Sequence, residues 1–380
     1  MLASAFGAGL GISGLLTYTA GIFAHDLERD IGLTRTSLGS AFLVSTLALA
    51  VALPLVGRLV DGFGPRKPAV FGSIMLSVGF LALGTMVHSV PGFLTAMALI
   101  GFLAACSAPV AYTRAVNAAF DRSRGLALGL MQLGIGAAGA AVPPYLAGIV
   151  AARGWQAGYQ VLAVIALAGV VPALCMPNVG SAAPRQEMAE THLARSPTFR
   201  LLLAAFGVMA LSFAGMLAHF VPMLRDAGMS LRAAGALTGL IGASVMASRI
   251  VIGWLVDRLE ASRIAAASCA VCAVGCLGLA WKGAALAWAG AIALGCAMGA
   301  EADLIGYLTA AYFGMTHYGR LYALQYASFM VMAGLSPLWI GALADHSGDY
   351  RAPLLIVCAG MIVAILLFLR LPRLRAPTPS

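Results

Sequence analysis

The sequence predicts an all-α integral membrane protein, with twelve transmembrane helices in two six-helix halves that repeat one another in parallel. Three observations predict it. The 380-residue chain is 61% apolar and 10% charged, whereas soluble domains carry about 25% charge. Its mean hydropathy is +0.94, so the solvent for most of its surface must be lipid. Finally, Gly57-Arg58-Leu59-Val60-Asp61 is nearly repeated 196 residues later as Gly253-Trp254-Leu255-Val256-Asp257, each copy closing an apolar run and opening a basic cluster.

The apolar runs justify the helices in order. They lie near 2–24, 38–60, 68–88, 91–117, 124–150 and 157–176, then near 200–224, 233–256, 262–281, 284–312, 320–344 and 352–370. Each can cross a hydrocarbon core of about 30 Å at about 1.5 Å per residue. Most connections are short, which makes successive helices antiparallel neighbours. The exception, 177–199, holds Pro184, Arg185, Glu187, Glu190, Arg195 and Pro197 and reads as a polar linker. The expected division is 1–176, the linker 177–199, 200–370 and a tail 371–380.

Basic residues set the orientation. With both termini cytoplasmic, the inner side collects 14 Lys and Arg and the outer side 7, while Arg114 and Arg249 fall within helices. Cytoplasmic loops carry such an excess. The net charge of +9 then reflects attraction to anionic lipid and requires no nucleic acid. Met1-Leu2-Ala3-Ser4 lacks the basic start of a signal peptide, so the first run reads as a retained helix. All seven cysteines sit inside predicted spans. Cys269, Cys272 and Cys276 share a helical face, yet no His or acid flanks them, so they read as packing residues and no metal is expected.

The duplication extends beyond the loop. Gly101, Tyr112, Phe120 and Gly125 are echoed by Gly295, Tyr307, Phe313 and Gly319 at offsets of 194, 195, 193 and 194, and Pro144 and Gly148 by Pro337 and Gly341 at 193. A near-constant offset over several elements marks an internal repeat. Six helices per half keep the same inside–outside sense, so the halves are parallel and related by an axis along the membrane normal; such halves enclose a central solute path. In the loop after helix two, Gly62 and Gly64 allow a tight turn. Asp61 is then free to face the positive end of a helix starting at the cytoplasmic side, forming a gate latch.

On these residues the chain resembles the major facilitator superfamily. The family's loop signature is met by Gly57, Asp61, Gly64, Arg66 and Lys67, and in part by Gly253, Asp257, Arg258 and Arg263. Gly62 stands where the family usually has a basic residue, and Pro65 is inserted. Within the superfamily it looks most like the monocarboxylate and oxalate/formate branch. That resemblance rests on Phe120-Asp121-Arg122-Ser123-Arg124-Gly125-Leu126-Ala127-Leu128-Gly129, and on Gly341-Ala342-Leu343-Ala344-Asp345 with Gly348-Asp349-Tyr350-Arg351. The acidic-Gly motif of eukaryotic monocarboxylate carriers is missing from helix one, so a bacterial-type, inner-membrane member is expected. The resemblance implies alternating-access transport of a small organic anion, with no obligate protein partner evident.

Four ionisable residues lie at bilayer depth: Arg114, Arg249, Glu301 and Asp303. Charges there are costly and mark functional sites by default. Arg249 is eight residues before Asp257, about 12 Å from the inner surface. Its guanidinium matches a carboxylate with two parallel hydrogen bonds. In the carboxylate-transporter branch an Arg four residues before the helix-eight Gly binds substrate, and Arg249 stands four before Gly253. The alternative is an ion pair with Glu301 or Asp303 that only pins helices. Glu301 and Asp303 point about 200° apart on a helix; one is expected to face the cavity and carry a coupling proton, Glu301 ahead of Asp303. Val245 occupies the position one turn before Arg249 where eukaryotic relatives have an acid, and Ser328–Ala344 contains no Lys or Arg, so a monoanion is expected over a dianion.

Tyr18, Tyr112, Gln132, Tyr307, Gln325 and Tyr326 are polar candidates for the same pocket, with Tyr112 and Tyr307 expected on opposite walls. Arg114 divides between site residue and inner-rim anchor. His219 reads as interfacial. No phosphate loop, HExxH or nucleophile elbow is found, so no enzyme and no cofactor are expected, and energy must come from a gradient. The competing readings are an exporter of lipophilic drugs or metabolites by proton antiport and, less favoured, a membrane sensor.

Overall fold

The computed structural model describes residues 1–119, 124–176, 196–256 and 258–372, without the side chains of 61, 114, 117–119, 124–128, 302, 315–320 and 323. Most of the expected linker and tail, and Phe120 to Ser123 of the resemblance motif, therefore lie outside the described residues. So does Asp257.

In chain order the first half comprises α1 (Leu2–Gly9), α2 (Ile12–Ile31), α3 (Arg35–Phe63), α4 (Arg66–Met86), α5 (Val90–Leu103), α6 (Pro109–Ala119), α7 (Arg124–Ala168) and α8 (Val170–Leu174). The second comprises α9 (Pro197–Phe213), α10 (Met216–Asp226), α11 (Leu231–Val256), α12 (Ala261–Lys282), α13 (Ala287–Ser347) and α14 (Arg351–Leu369). Ten stretches of the described residues are long and apolar enough to cross a membrane, and two of them, Gly129–Leu174 and Ala261–Gly314, run to 46 and 54 residues. A single crossing needs about 20 residues, so each of these holds two. Glycine makes the reversals: Gly154 (φ 84°) inside α7, Gly283 (φ 54°) between α12 and α13, and Gly314 (φ 71°) inside α13. These are left-handed conformations that side chains disfavour. The twelve expected crossings result.

Several crossings are broken rather than straight. The first bends between α1 and α2, where the freed Ile12 N–H donates to the Ser107 hydroxyl at 3.1 Å. The seventh bends between α9 and α10, where the Gly215 N–H donates to the Ser336 hydroxyl at 2.8 Å. Inside lipid a freed backbone donor must find a partner within the protein, and a serine on a neighbouring helix supplies it in both halves.

The two halves meet along three helix pairs: α2 with α10, α3 with the second arm of α13, and α7 with α11. Glycines set these crossings. Gly21 faces Ala218 and Pro222; Gly39 faces Pro337; Gly341 faces Arg35; Gly136 faces Met246; Gly242 faces Gly139 and Ala140; and Gly235 faces Ala147. Most lie toward the end of each crossing opposite the one carrying Met1, Gly64 and Arg258, and the Gly136–Met246 contact lies near the middle. We call the end carrying Met1 the basic face and its opposite the far face. By contrast, a side chain added at Gly57, Gly129 or Gly253, toward the basic face, would meet nothing within 4 Å. The halves are therefore sealed toward the far face, and among the described residues the glycines toward the basic face make no such close contacts.

At the far face a polar cluster bridges the halves. Arg35 at the start of α3 pairs with Asp226 at the end of α10 (2.5 Å) and with Asp345 near the end of α13 (3.6 Å). Its guanidinium also lies 5.5 Å from the centre of the Tyr350 ring. His219 is fully buried here, not interfacial as expected: it approaches the Tyr350 hydroxyl at 3.0 Å and the Pro337 carbonyl at 2.8 Å. Only a protonated Nε2 can donate to that carbonyl, so the Tyr350 hydroxyl donates to Nδ1. Burial pushes the Tyr350 phenol well above its ordinary range, which keeps its proton in place for this bond.

Candidate functional site

The site is built by the close approach of α11 and α13. Gly295 admits Ser244, and Gly299 admits Val245 and Ser248, which leaves no room for larger residues at either glycine. The Ser248 hydroxyl donates to the Cys296 carbonyl at 2.8 Å and fixes the register. With the helices so aligned, Arg249 Nη1 donates to Asp303 Oδ1 at 2.9 Å.

That ion pair uses little of either group. Arg249 is 13% exposed and Asp303 36%. The buried Nε of Arg249 has no hydrogen-bond partner among the described residues, and neither has the buried Oε2 of Glu301. Glu301 lies within electrostatic reach of both Arg249 and Asp303. The sequence put Glu301 ahead of Asp303 as the cavity acid; the structure sets Asp303 on the guanidinium and leaves Glu301 unbonded at Oε2.

Tyr18 of α2 and Tyr326 of α13 each have Arg249 and Glu301 as electrostatic neighbours. Tyr18 is seated there because Gly139 of α7 leaves space for its ring. Gln132 is one turn from Gly136 on the α7 face that meets Met246 of α11, and Arg249 is nearly one turn beyond Met246 in the same direction. Tyr18, Gln132, Arg249, Glu301, Asp303 and Tyr326 thus gather where the contacts between the halves end.

The other candidates stand apart. Tyr112 is fully buried in the first half, with its ring over Gly7 and beside Ser73. The missing side chain at Gly7 draws it inward, away from a central wall. Tyr307 is 39% exposed and donates to the Val256 carbonyl at the end of α11. Gln325 is buried, with Oε1 accepting from Thr309 at 3.2 Å across the two arms of α13 and Nε2 unpartnered. Arg114 sits on α6, but its side chain is outside the described residues.

The loop motif expected to form a latch is described in part. Gly64 (φ 77°) ends α3, and Arg66 starts α4. Lys67 lies 5.9 Å from the Phe63 ring centre, and Arg258 lies 4.1 Å from that of Trp254 while donating to the Trp254 carbonyl at 2.9 Å. Both cations therefore turn onto aromatics of their own loop. The Asp61 side chain and all of Asp257 are outside the described residues. Among the described residues no cluster of His, Cys, Asp and Glu could hold a metal ion.

Sequence reasoning missed Arg35, Asp226 and Asp345 as partners. Arg35 counted only as an outer-loop cation, and nothing in its local sequence announces acids 191 and 310 residues away.

A family model described as Major Facilitator Superfamily matches residues 5–306. The chain belongs to that superfamily. It is a multi-pass membrane protein with the superfamily's twelve-helix fold. Over 247 residues it is 30% identical to the oxalate:formate antiporter of Oxalobacter formigenes, covering 62% of this chain and 56% of that one. Over 384 residues it is 27% identical to monocarboxylate transporter 11 of Homo sapiens, covering 92% and 80%. A probable sulfoacetate transporter of Cupriavidus necator is 27% identical over 145 residues, covering 37% and 33%. The chain spans little more than half the length of the first of these relatives. Its fold matches, with a TM-score of 0.76 at 12% identity, a bacterial homolog of the human lysosomal transporter Spinster solved in an inward-facing and occupied conformation, over 97% of this chain and 95% of that one.

Proposed function

We propose that this chain is a secondary active transporter of a small organic anion, most simply a monocarboxylate, working by alternating access and linked to protons. One observation carries the reading. Arg249 lies where the two halves part, bonded to a single carboxylate oxygen, with a buried N–H left over. A guanidinium with spare donors suits a second carboxylate, which can take two parallel hydrogen bonds. Relatives named for oxalate, formate and monocarboxylates support the same class.

In this mechanism the substrate enters from the basic face, which the excess of Lys and Arg assigns to the cytoplasm of a bacterial inner membrane, with both termini on that side. Its carboxylate competes with Asp303 for Arg249. Asp303, once released, takes up a proton and so avoids leaving an unpaired charge in the cleft, which would be costly. Glu301, beside the same guanidinium, is the second proton carrier. Rocking of 1–176 against 200–370 then closes the basic face around the site. Gly57, Asp61, Gly64, Arg66, Lys67, Gly253, Asp257 and Arg258 form the latch that holds it shut.

The test is uptake of monocarboxylates into proteoliposomes with and without a proton gradient. Arg249→Ala abolishes gradient-driven uptake while the protein still unfolds cooperatively, and Arg249→Lys, which keeps the charge and loses the fork, retains only a fraction. Normal uptake by Arg249→Ala would end the reading.

A further inference from the structure

Three near-parallel rings run along the second arm of α13. Tyr322 and Tyr326 have centroids 5.8 Å apart and planes 11° apart, and Tyr326 and Phe329 follow at 6.2 Å and 17°. At spacings of four and three residues they share one helical face and make an aromatic stripe. Its middle ring, Tyr326, has Arg249 and Glu301 as electrostatic neighbours. A second phenol, Tyr18 from the other half, has the same two neighbours. One end of the site is thus a guanidinium, beside the partly exposed rings of Tyr322 and Tyr326, with Phe329 buried behind them.

The charges narrow the guest further. Arg249 faces two acids, Glu301 and Asp303; with both protonated, this cation balances a single negative charge on a guest.

The geometry points to a flat aromatic monocarboxylate, such as a benzoate, as the preferred substrate class. Its carboxylate sits on Arg249 and its ring lies along Tyr326. This assignment rests on the anion-transport reading above and adds the shape of the guest to it. Acetate offers the same carboxylate with nothing for the stripe to hold. Cyclohexanecarboxylate offers similar bulk but no π face, and ring–ring contact favours the aromatic acid by about two- to ten-fold.

The experiment is isothermal titration of the purified full chain with benzoate, cyclohexanecarboxylate and acetate, repeated on three variants. Benzoate binds about two- to ten-fold more tightly than cyclohexanecarboxylate, and acetate binds most weakly. Tyr326→Leu brings benzoate affinity down to that of cyclohexanecarboxylate; Tyr326→Phe, which keeps the ring, keeps the preference. Arg249→Ala loses all three acids. If acetate binds as tightly as benzoate and Arg249→Ala abolishes both, the aromatic assignment is overturned while the anion reading stands. Loss of the preference in Tyr326→Phe also overturns it. If none of the acids binds to cooperatively folded protein, both fall.

Discussion

Asp345 caps a helix that belongs to the other half of the molecule. Its two oxygens accept from the Arg35 N–H at 3.3 Å and the Thr36 N–H at 2.8 Å, and the Thr36 hydroxyl adds a third bond at 2.6 Å. The first turn of any helix leaves N–H groups without partners and carries partial positive charge, so a carboxylate there is doubly favoured. α3 is already capped locally, with Thr34 accepting from Ser37 at 3.1 Å. The donors that remain are answered only while the far face is closed.

Asp345→Ala therefore opens the far face. Hydrogen bonds to charged groups are worth about 1.5–3 kcal/mol, so loss of this set shifts the balance between states by at least about tenfold. In a cysteine-free background, a cysteine replacing Thr46, which packs on Gly334 across the interface, should react correspondingly faster with an impermeant maleimide. An unchanged labelling rate would remove the capping contact from the gate.

Gly242→Val prevents that face from closing. Gly242 lies against the backbone of Gly139 and Ala140, and backbone cannot step aside as a side chain can. Overpacking costs about 1–3 kcal/mol, and here the strain exists in only one of the two states. Spin labels at the exposed positions Arg153 and Arg232, near the far ends of α7 and α11, should move apart, and uptake should fall by about tenfold or more. An unaltered distance distribution would contradict this.

Ser107→Ala and Ser336→Ala destabilise the fold by about 1–3 kcal/mol each, the cost of leaving a buried donor unanswered. Ser107 also donates to the Ala104 carbonyl at 2.7 Å, so its loss removes two bonds. Thermal unfolding in detergent reads the effect as a lowered midpoint. Midpoints equal to that of the parent would mean that the bends at Gly11 and Gly215 need no such partner.

Asp303→Asn separates binding from coupling. Asparagine keeps the shape but no longer competes as an anion for Arg249, so monocarboxylate affinity rises by up to about fivefold, the weight of a partly exposed charged contact. Uptake loses its dependence on a proton gradient, while counterflow exchange continues. Glu301→Gln tests the second carrier in the same assay. A gradient response intact in both variants would locate the proton elsewhere.

The twelve crossings were legible because lipid imposes a simple rule: a helix must be apolar over its whole length to cross. The glycine reversals at 154, 283 and 314 fall at the sequence breaks for the same reason, since each lies between two such runs. The depth of Arg249 and its alternative as partner of an acid on the tenth crossing could be read from helical rise alone. Which acid took it could not: Glu301 and Asp303 differ by two residues, and the choice depends on the register that Ser248 and Gly299 impose. Tyr112 misled because repeat symmetry equates positions, whereas the ring follows the space left by Gly7. Asp226 and Asp345 were illegible as partners of Arg35 because their meeting depends on how two halves close, and local pattern carries no trace of that.

One consequence follows from where the glycine contacts between the halves stop. The interlocked portion of α7 and α11 reaches Gly136 and Met246, and Arg249 waits just past its last tooth, like the slider of a zip. Cargo arriving from the open side cannot travel beyond that point, so whatever length it has projects back toward its entrance. The second closure must fold over that protruding remainder. Under the transport mechanism proposed above, such a carrier sorts its passengers by reach: a molecule that extends too far past the arginine wedges the trailing edges apart and is returned to the side from which it came.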